Sequence, residues 1–228
     1  MQEIKILNKT YKVEDHWFWK QYNNTGWEPQ TLEVYRKCLT ENISYIDIGT
    51  WLGVTIFYAK EIGCKDIYGV EANPLSYQLT KKNCELNNIS VDLSNLAITN
   101  KNEIVSFGST NSNETSSNSS LKGDRFQIQG ITLTEYLKDK PKEDVFVKID
   151  IEGAEELIIE ELEQINGYIW LSIHPPFMEN KEEFYNKIKK YKVYCNNLEE
   201  RILTKEKYPS WGTKFGNFFE VLIDNRKS

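Results

Sequence analysis

A short apolar run that breaks into a glycine turn constrains the fold of this chain more than any other stretch. Residues 44–53 read S-Y-I-D-I-G-T-W-L-G, with Asp47 inside the apolar run and glycines at 49 and 53. This order predicts a β-strand, a tight turn and a helix over residues 54–62. The two glycines permit positive φ or close backbone approach, and the helix start offers free N–H groups. A ligand site is therefore expected where the strand meets the helix.

A second short apolar run, residues 67–71, ends in Glu71, 18 residues after Gly53. In βαβ nucleotide sites an acid at this spacing binds ribose hydroxyls. The glycine pattern is D-x-G-x-x-x-G, whereas dinucleotide sites use G-x-G-x-x-G to bring the backbone to a pyrophosphate. An acid beside the turn repels phosphate and attracts cations. The site therefore suits S-adenosylmethionine, a sulfonium without phosphate, and disfavours the alternative of a nicotinamide-dependent oxidoreductase.

Four strings of the sequence carry a resemblance to a known family. In this order and spacing, YIDIGTWLG, GVEANP, NLAITN and VKIDIEGAE resemble FkbM-type S-adenosylmethionine-dependent methyltransferases, over roughly residues 27–175. VKIDIEGAE is the most specific of the four. The chain departs from the family at Thr50-Trp51, where Ala-Asn is more usual, and at Ala72, where Pro is more usual.

The alternation of apolar runs with helical periods predicts an α/β fold with a doubly wound, mostly parallel sheet. The final strands, residues 192–195 and 218–224, have no helix between them and predict an antiparallel C-terminal edge. With the resemblance, this is the seven-stranded, Rossmann-like class I methyltransferase fold. We expect an N-terminal helical or lid segment over residues 1–40 and a methyltransferase domain over 41–228. We also expect one strand over residues 91–98 and one helix over 154–162.

The expected cofactor contacts come from the turn, from the ribose acid and, by resemblance, from the third strand. The full set is Asp47, Gly49, Gly53, Glu71, Ala72, Asn73, Asn95, Leu96 and Ala97. The resemblance places Asp47, Gly49 and Gly53 around the methionine moiety and residues 95–97 near adenine.

Candidate catalytic residues lie where two predicted strands end, because ligands of open α/β sheets bind beyond the carboxyl ends of the strands. Asp150 and Glu152 follow the strand at 145–150, and His174 ends the strand at 168–174. Lys148 shares a strand face with Asp150 and could hold an acid ionised. His174 has an ordinary pKa suited to taking a proton at neutral pH. A hydroxyl acceptor needs such help, because it is a weak nucleophile.

Other roles for the same residues stay open at this point. Asp150 and His174 could instead bind Mg²⁺ or Mn²⁺, which would polarise the acceptor hydroxyl. Glu152 could cap the helix that follows it, and His174 could simply shape a loop. The sequence does not separate a general base from a metal site.

The resemblance implies O-methylation, with a sugar or glycan hydroxyl as the expected acceptor. The alternatives are a small-molecule natural product as acceptor, or a non-catalytic S-adenosylmethionine-binding module. The Ser- and Asn-rich residues 109–123, with Ser119 and Ser120, fit either an acceptor loop or a disordered segment. Aromatic clusters at residues 17–22 and 208–219 fit either core packing or an acceptor wall, with Phe218 and Phe219 expected in the core.

Composition excludes several partners. The net charge is −6 and no Lys/Arg block occurs, so no nucleic-acid partner is expected. No apolar run reaches the roughly 20 residues of a membrane helix, and no apolar leader is seen, so a cytoplasmic protein without a membrane span is expected. The 4 cysteines lie far apart without a C-x-x-C pair, which indicates free thiols.

Overall fold

The structure is a computed structural model that describes residues 1–108, 115, 119–194, 200–201 and 218–227. The strands are β1 Gln2–Ile6, β2 Lys9–Val13, β3 Ser44–Ile48, β4 Ile67–Val70, β5 Asp92–Ser94, β6 Ala97–Thr99, β7 Glu103–Phe107, β8 Phe126–Thr132, β9 Glu143–Ile149, β10 Asn166–Ile173, β11 Val193–Tyr194, β12 Glu200–Arg201 and β13 Phe219–Asp224. The helices are α1 Trp17–Thr25, α2 Pro29–Cys38, α3 Val54–Ile62, α4 Pro74–Leu86, α5 Leu133–Tyr136, α6 Glu155–Ile158 and α7 Lys181–Ile188. Two 3₁₀ turns span Glu161–Gln164 and Pro175–Phe177.

A central sheet of the order β12-β11-β13-β10-β9-β3-β4-β5 organises the described part of the chain. The strands from β10 to β5 are parallel, whereas β13, β11 and β12 pair antiparallel. The predicted parallel sheet with an antiparallel C-terminal edge is confirmed. The predicted count of seven strands is wrong for this sheet, which has 8. The additional strand is β12, whose two residues are too short to show a period in the sequence.

Both faces of the central sheet are covered, which explains the continuous apolar runs of its strands. All five residues of β3 are buried. Alternate residues serve opposite faces: Tyr45 and Phe146 pack in the cluster that holds the N-terminal elements. Ile46 and Val147 pack in the cluster on the other face. The carboxyl ends of β3, β4, β9 and β10 are thereby fixed along one edge.

The first 40 residues begin with a β-hairpin, so their predicted helical character holds only for α1 and α2. Strands β1 and β2 pair antiparallel from Gln2↔Val13 to Ile6↔Lys9. Ile4, Ile6, Tyr11 and Val13 are buried and alternate with more exposed polar residues. That period of two is a strand pattern that the helical expectation overlooked. The division into segments 1–40 and 41–228 stays a prediction.

Two further expected elements are each divided in the structure. The strand expected over residues 91–98 splits into β5, in the central sheet, and β6, in a separate sheet of the order β6-β8-β7. At the split, the Asn95 side chain donates hydrogen bonds to the carbonyl oxygens of Glu71 and Ala72, at 2.7 and 3.2 Å. The helix expected over 154–162 splits into α6 and a 3₁₀ turn. There the Ile159 carbonyl accepts a bond from the Tyr191 hydroxyl at 2.9 Å.

Cys38, Cys64 and Cys84 are buried free thiols, as predicted, and Cys195 lies outside the described residues. Within the described ranges, the structure contains no helix that is long and apolar enough to cross a membrane.

Candidate active site

A cavity of about 660 Å³ opens at the carboxyl ends of the parallel strands. Ile48 of β3, Val70 of β4, Lys148 of β9 and Ile173 of β10 all line it. This is the place where open α/β sheets bind ligands, and the size suits a nucleoside-sized molecule.

The glycine turn after β3 brings two strand ends into contact. Gly49 has φ +86°, and its N–H donates to the Val70 carbonyl at 2.9 Å. A Cβ on residue 49 would lie 1.9 Å from the carbonyl oxygen of Asp150. Only glycine fits there, so the turn lies directly against the end of β9.

Glu71 is held at the end of β4 by the backbone of two neighbouring turns. Its Oε2 accepts the Trp51 N–H at 2.7 Å, and its Oε1 accepts the Asn73 N–H at 2.8 Å. Burial raises the pKa of Glu71 to about 7, although these two hydrogen bonds oppose the rise. The carboxylate lines the cavity in a fixed orientation.

The nine predicted cofactor-contact residues fall into two groups. The cavity is lined by Gly49, Glu71, Ala72, Leu96 and Ala97. The other four are not among its lining residues: Asp47, Gly53, Asn73 and Asn95. Gly53 and Asn73 are the N-caps of α3 and α4, and Asn95 tethers the turn after β4. These positions support the wall of the cavity from behind.

Asp47 and Lys148 form a buried ion pair beneath the cavity. Asp47 is fully buried, accepts a hydrogen bond from the Thr55 hydroxyl and lies 3.5 Å from Lys148 Nζ. Burial raises the Asp47 pKa, and Lys148 and Thr55 oppose that rise. Lys148 Nζ also donates to the Gly49 carbonyl at 2.8 Å and lies 3.3 Å from Asp150 Oδ2. Burial alone would lower the Lys148 pKa, but Asp150 and Asp47 raise it above its ordinary value.

His174 lies at the end of β10 and is surrounded by three carboxylates. Its Nδ1 is 2.8 Å from Glu155 Oε1, and its Nε2 is 3.5 Å from Asp150 Oδ1 and 3.8 Å from Glu152 Oε2. Burial lowers the His174 pKa, but Glu155, Glu152 and Asp150 together raise it to about 10. This raised pKa differs from the ordinary value expected for His174, because the three carboxylates favour the protonated ring over the neutral one. Burial alone would raise the Asp150 pKa, but Lys148 and His174 bring it below its ordinary value.

Glu155 is a site residue that the analysis of the sequence missed. It is fully buried, and its carboxylate accepts the Gly153 N–H at 2.9 Å and the Ile151 N–H at 3.2 Å as well as contacting His174. Glu155 thus accepts hydrogen bonds from the N–H groups of the turn before α6, a capping role that the sequence had suggested for Glu152. The signal was present, because Glu155 is the last letter of VKIDIEGAE.

Glu152 points into the cluster instead of capping the turn. Its backbone has φ +52°, and its Oε2 is buried without a hydrogen-bond partner in the described part of the chain. Burial raises the Glu152 pKa to about 8, and His174 opposes the rise. One ligand-type atom from each of Asp150, Glu152 and His174 lies within 4.8 Å of the others.

Two more acids of the cavity wall, Glu28 and Glu220, were also missed. Glu28 Oε2 accepts the Thr31 hydroxyl at 2.9 Å, and Glu220 Oε1 accepts the Gln30 amide at 3.4 Å. Burial raises the pKa of Glu28 to about 8 and also raises that of Glu220, and nearby carboxylates add to both. Within the described ranges neither acid forms an ion pair. Lys148, whose charge acts on Glu28, pairs with Asp47 and Asp150 instead.

Four aromatic side chains line part of the cavity, which we call the aromatic wall: Trp17, Phe18, Trp27 and Trp51. Trp51 Nε1 donates to the Thr115 carbonyl at 2.9 Å, so part of the Ser- and Asn-rich stretch contacts this wall. Ser119 lines the cavity, whereas the backbone of Ser120 pairs with Gly108.

The late aromatics are only partly placed. Tyr208, Trp211 and Phe215 lie outside the described residues. Phe219 is buried, as expected, yet it also lines the cavity. Phe218 was expected in the core but is half-buried, and its ring centroid lies 5.0 Å from that of His174.

The sheet order, the glycine turn and the buried acid after β4 define a class I, Rossmann-like methyltransferase fold. The family description "Methyltransferase FkbM domain" matches residues 42–201. The chain therefore belongs to the FkbM family of S-adenosylmethionine-dependent methyltransferases, and the resemblance noted in the sequence is confirmed.

Individual relatives agree with this class. The chain is 32% identical over 71 residues to the ribosomal protein L11 methyltransferase of Dictyoglomus turgidum, a match that covers 30% of this chain and 24% of that protein. The chain thus spans about a quarter of the length of the curated relatives it matches.

Solved structures show the same fold at low sequence identity. A TehB-like SAM-dependent methyltransferase from Corynebacterium glutamicum has a TM-score of 0.51 at 8% identity, covering 92% of this chain and 95% of that chain. The tRNA m1G37 methyltransferase of M. jannaschii has a TM-score of 0.50 at 14% identity, covering 99% and 57%. These similarities support the fold alone.

Proposed function

We propose that this protein transfers the methyl group of S-adenosylmethionine to a hydroxyl oxygen, with a sugar or glycan as the acceptor. The observation that carries the proposal is the composition of one cavity. A nucleoside-type wall with Gly49 and Glu71 faces an acid–histidine cluster with Asp150 and His174 in the same cavity.

The cofactor half of the cavity offers a contact for each part of the nucleoside. The fixed Glu71 carboxylate can accept hydrogen bonds from both ribose hydroxyls. Ala72, Leu96 and Ala97 offer an apolar surface to adenine. The Gly49 turn approaches closely enough for its backbone to meet the methionine end.

The charge of the cavity favours a cationic cofactor. Glu28 and Glu220 line it without forming an ion pair among the described residues, and burial raises both pKa values although Lys148 opposes the rise at Glu28 and His174 opposes it at Glu220. S-adenosylmethionine brings an ammonium and a sulfonium. We place its ammonium beside these two carboxylates.

Methyl transfer is an in-line displacement in which the acceptor oxygen forms a bond to the methyl carbon. The carbon–sulfur bond breaks, its electron pair stays on sulfur, and S-adenosylhomocysteine leaves. Placement of the atoms at about 3 to 3.5 Å supplies much of the rate. The hydroxyl proton passes to the carboxylates around His174, either directly or with the help of a divalent cation.

The acceptor half of the cavity is aromatic and acidic. Trp17 is 54% exposed and lines the cavity mouth, so its flat face is available to the C–H face of a sugar ring. The acidic lining and the net charge of −6 disfavour a nucleic-acid acceptor. The relatives are named for methylating a ribosomal protein or a tRNA, and these acceptors belong to the relatives.

Calorimetric titration with S-adenosylhomocysteine tests the cofactor half. Wild type should bind, and Glu71→Ala should lose most of the heat because the ribose loses its acceptor. Absence of binding to wild type would overturn the proposal.

Methyl transfer from labelled S-adenosylmethionine to a panel of sugars, glycans and small alcohols tests the acceptor half. We expect alkali-stable methyl ethers on a sugar hydroxyl. Label found only on protein, on RNA or on a nitrogen atom would refute the O-methyl assignment. Binding of cofactor without any transfer would favour a non-catalytic module.

A further inference from the structure

Two neighbouring parallel strands deliver three ligand-type side chains to one point. Asp150 and Glu152 follow β9, and His174 follows β10, which pairs with β9 along its length. One carboxylate oxygen from each acid and one imidazole nitrogen lie within 4.8 Å of one another. The three side chains therefore surround a single small volume that opens onto the cavity.

One buried polar atom faces this volume without a hydrogen bond. Glu152 Oε2 has no hydrogen-bond partner within the residues that the structure describes. The neighbouring His174 Nε2 is 3.5 Å from Asp150 and 3.8 Å from Glu152, longer than an ordinary hydrogen bond. Buried polar atoms are almost always satisfied, so a missing partner beside Glu152 Oε2 is indicated.

The imidazole is oriented as a metal ligand. Glu155 holds Nδ1 at 2.8 Å, and the amides of Ile151 and Gly153 in turn hold the Glu155 carboxylate. Metal-binding histidines commonly carry such a carboxylate on the second ring nitrogen. Asp150 is arranged in a similar way, because its Oδ2 faces Lys148 and its Oδ1 faces His174.

We propose that Asp150, Glu152 and His174 bind one divalent cation, with Mn²⁺ as the best-suited ion, and that its open positions receive the acceptor hydroxyl. Two hard oxygens and one imidazole suit Mn²⁺ better than Ca²⁺ or Mg²⁺, which favour oxygen ligands. The inference rests on the proposed methyl transfer. A cation there lowers the pKa of the hydroxyl, whose proton leaves to a neighbouring carboxylate as the oxygen attacks the methyl carbon.

The test uses the full chain after removal of metals by a chelator and dialysis. Mn²⁺ titration, followed by calorimetry and electron paramagnetic resonance, should reveal a single site per chain. Glu152→Gln and His174→Asn should each weaken Mn²⁺ binding by at least tenfold. Glu103→Gln, an exposed acid on β7 outside the cluster, is the matched control and should leave binding unchanged.

Two outcomes would overturn the metal site. One is the absence of Mn²⁺, Mg²⁺ and Zn²⁺ binding to wild type; the other is binding that persists unchanged in folded Glu152→Gln and His174→Asn variants. Should these variants not fold, the wild type decides: bound Mn²⁺ must show nitrogen hyperfine coupling from an imidazole, and its absence refutes the site.

The metal site and the proposed function can fail separately. S-adenosylhomocysteine binding and methyl transfer that persist in excess chelator would refute the metal site and leave the proposed methyltransferase function standing. Mn²⁺ binding by a chain that does not bind S-adenosylhomocysteine would keep the metal site and sink the proposed function.

Discussion

The ammonium group of Lys148 lies 3.5 Å from the carboxylate of Asp47, on neighbouring parallel strands where both side chains are almost completely buried. Such a pair stabilises little by itself, because both charges lose their hydration. Its importance is positional: the same ammonium binds the Gly49 carbonyl and lies beside Asp150. Lys148 therefore connects the glycine turn after β3 to the strand end that carries Asp150.

Replacing Lys148 with Met should destabilise the protein by about 3–5 kcal/mol, because the Asp47 carboxylate stays buried without its partner. Urea unfolding measures this change. Lys37→Met is the matched control, since Lys37 forms an i,i+4 pair with Glu33 on the surface and should cost under about 0.5 kcal/mol. The double variant Asp47→Asn/Lys148→Met should recover stability. Equal losses of unfolding free energy in Lys148→Met and Lys37→Met would contradict a buried pair between Lys148 and Asp47.

Glu71 should make stability fall as pH rises. Burial raises its pKa from the ordinary 4.5 to about 7, so the folded chain prefers the protonated acid. A carboxyl group whose pKa is raised in the folded state stabilises the folded protein at pH values below its unfolded pKa of 4.5. This stabilisation is lost as the pH rises from 4.5 to about 7. The loss amounts to about 3 kcal/mol at 1.36 kcal/mol per pH unit.

The measurement is the difference in unfolding free energy between wild type and Glu71→Gln at pH 5 and pH 8. The wild-type advantage should shrink across this interval, and the subtraction removes the contributions of other acids. Ribose hydroxyls donate to the ionised carboxylate, so S-adenosylhomocysteine should bind wild type more tightly above pH 7. A pH-independent difference would show that Glu71 is not held in the buried environment described here.

Much of the site could be predicted because it depends on local order and on one topological rule. The strand–turn–helix after β3 follows from two glycines, and Asp150 and His174 follow from the rule that ligands bind at strand ends. Their mutual approach needed only β9 and β10 to be neighbours. The chain between the two residues contains a helix, which makes neighbouring parallel strands the expected arrangement.

What the sequence did not reveal depends on tertiary packing. Gln30 contacts Glu220 across 190 residues, and only the docking of α2 beside β13 brings Glu28 and Glu220 to one cavity. The raised His174 pKa likewise depends on tertiary packing, because it requires Glu155, whose orientation is set by the turn before α6. No spacing in the sequence encodes either relationship.

Glu28 should contribute to cofactor affinity through the ammonium group alone. The bound ammonium favours the ionised form of Glu28 against the rise that burial causes, so Glu28→Gln removes a charged acceptor, which is worth about 1.5–3 kcal/mol, or roughly 10- to 100-fold in Kd for S-adenosylhomocysteine. Binding of 5′-methylthioadenosine, which lacks the ammonium, should not change. Calorimetry with both ligands measures the contrast, and Glu33→Gln on the exposed side of α2 is the control. Equal weakening of both ligands would mean that Glu28 acts through the fold.

Gly49 should tolerate no side chain, because its turn joins the ends of β3 and β9. A left-handed φ of +86° already costs an alanine about 1–2 kcal/mol. The added Cβ would also lie 1.9 Å from the Asp150 carbonyl oxygen, so Gly49→Ala must displace backbone and should destabilise well beyond that range. Gly63→Ala is the matched control, because Gly63 has φ +93° and an added Cβ would meet only the Glu41 Cβ, at 3.9 Å. Urea unfolding should show a small cost for Gly63→Ala and a large one, with loss of S-adenosylhomocysteine binding, for Gly49→Ala. Similar small costs at both positions would contradict the close contact between the turn and Asp150.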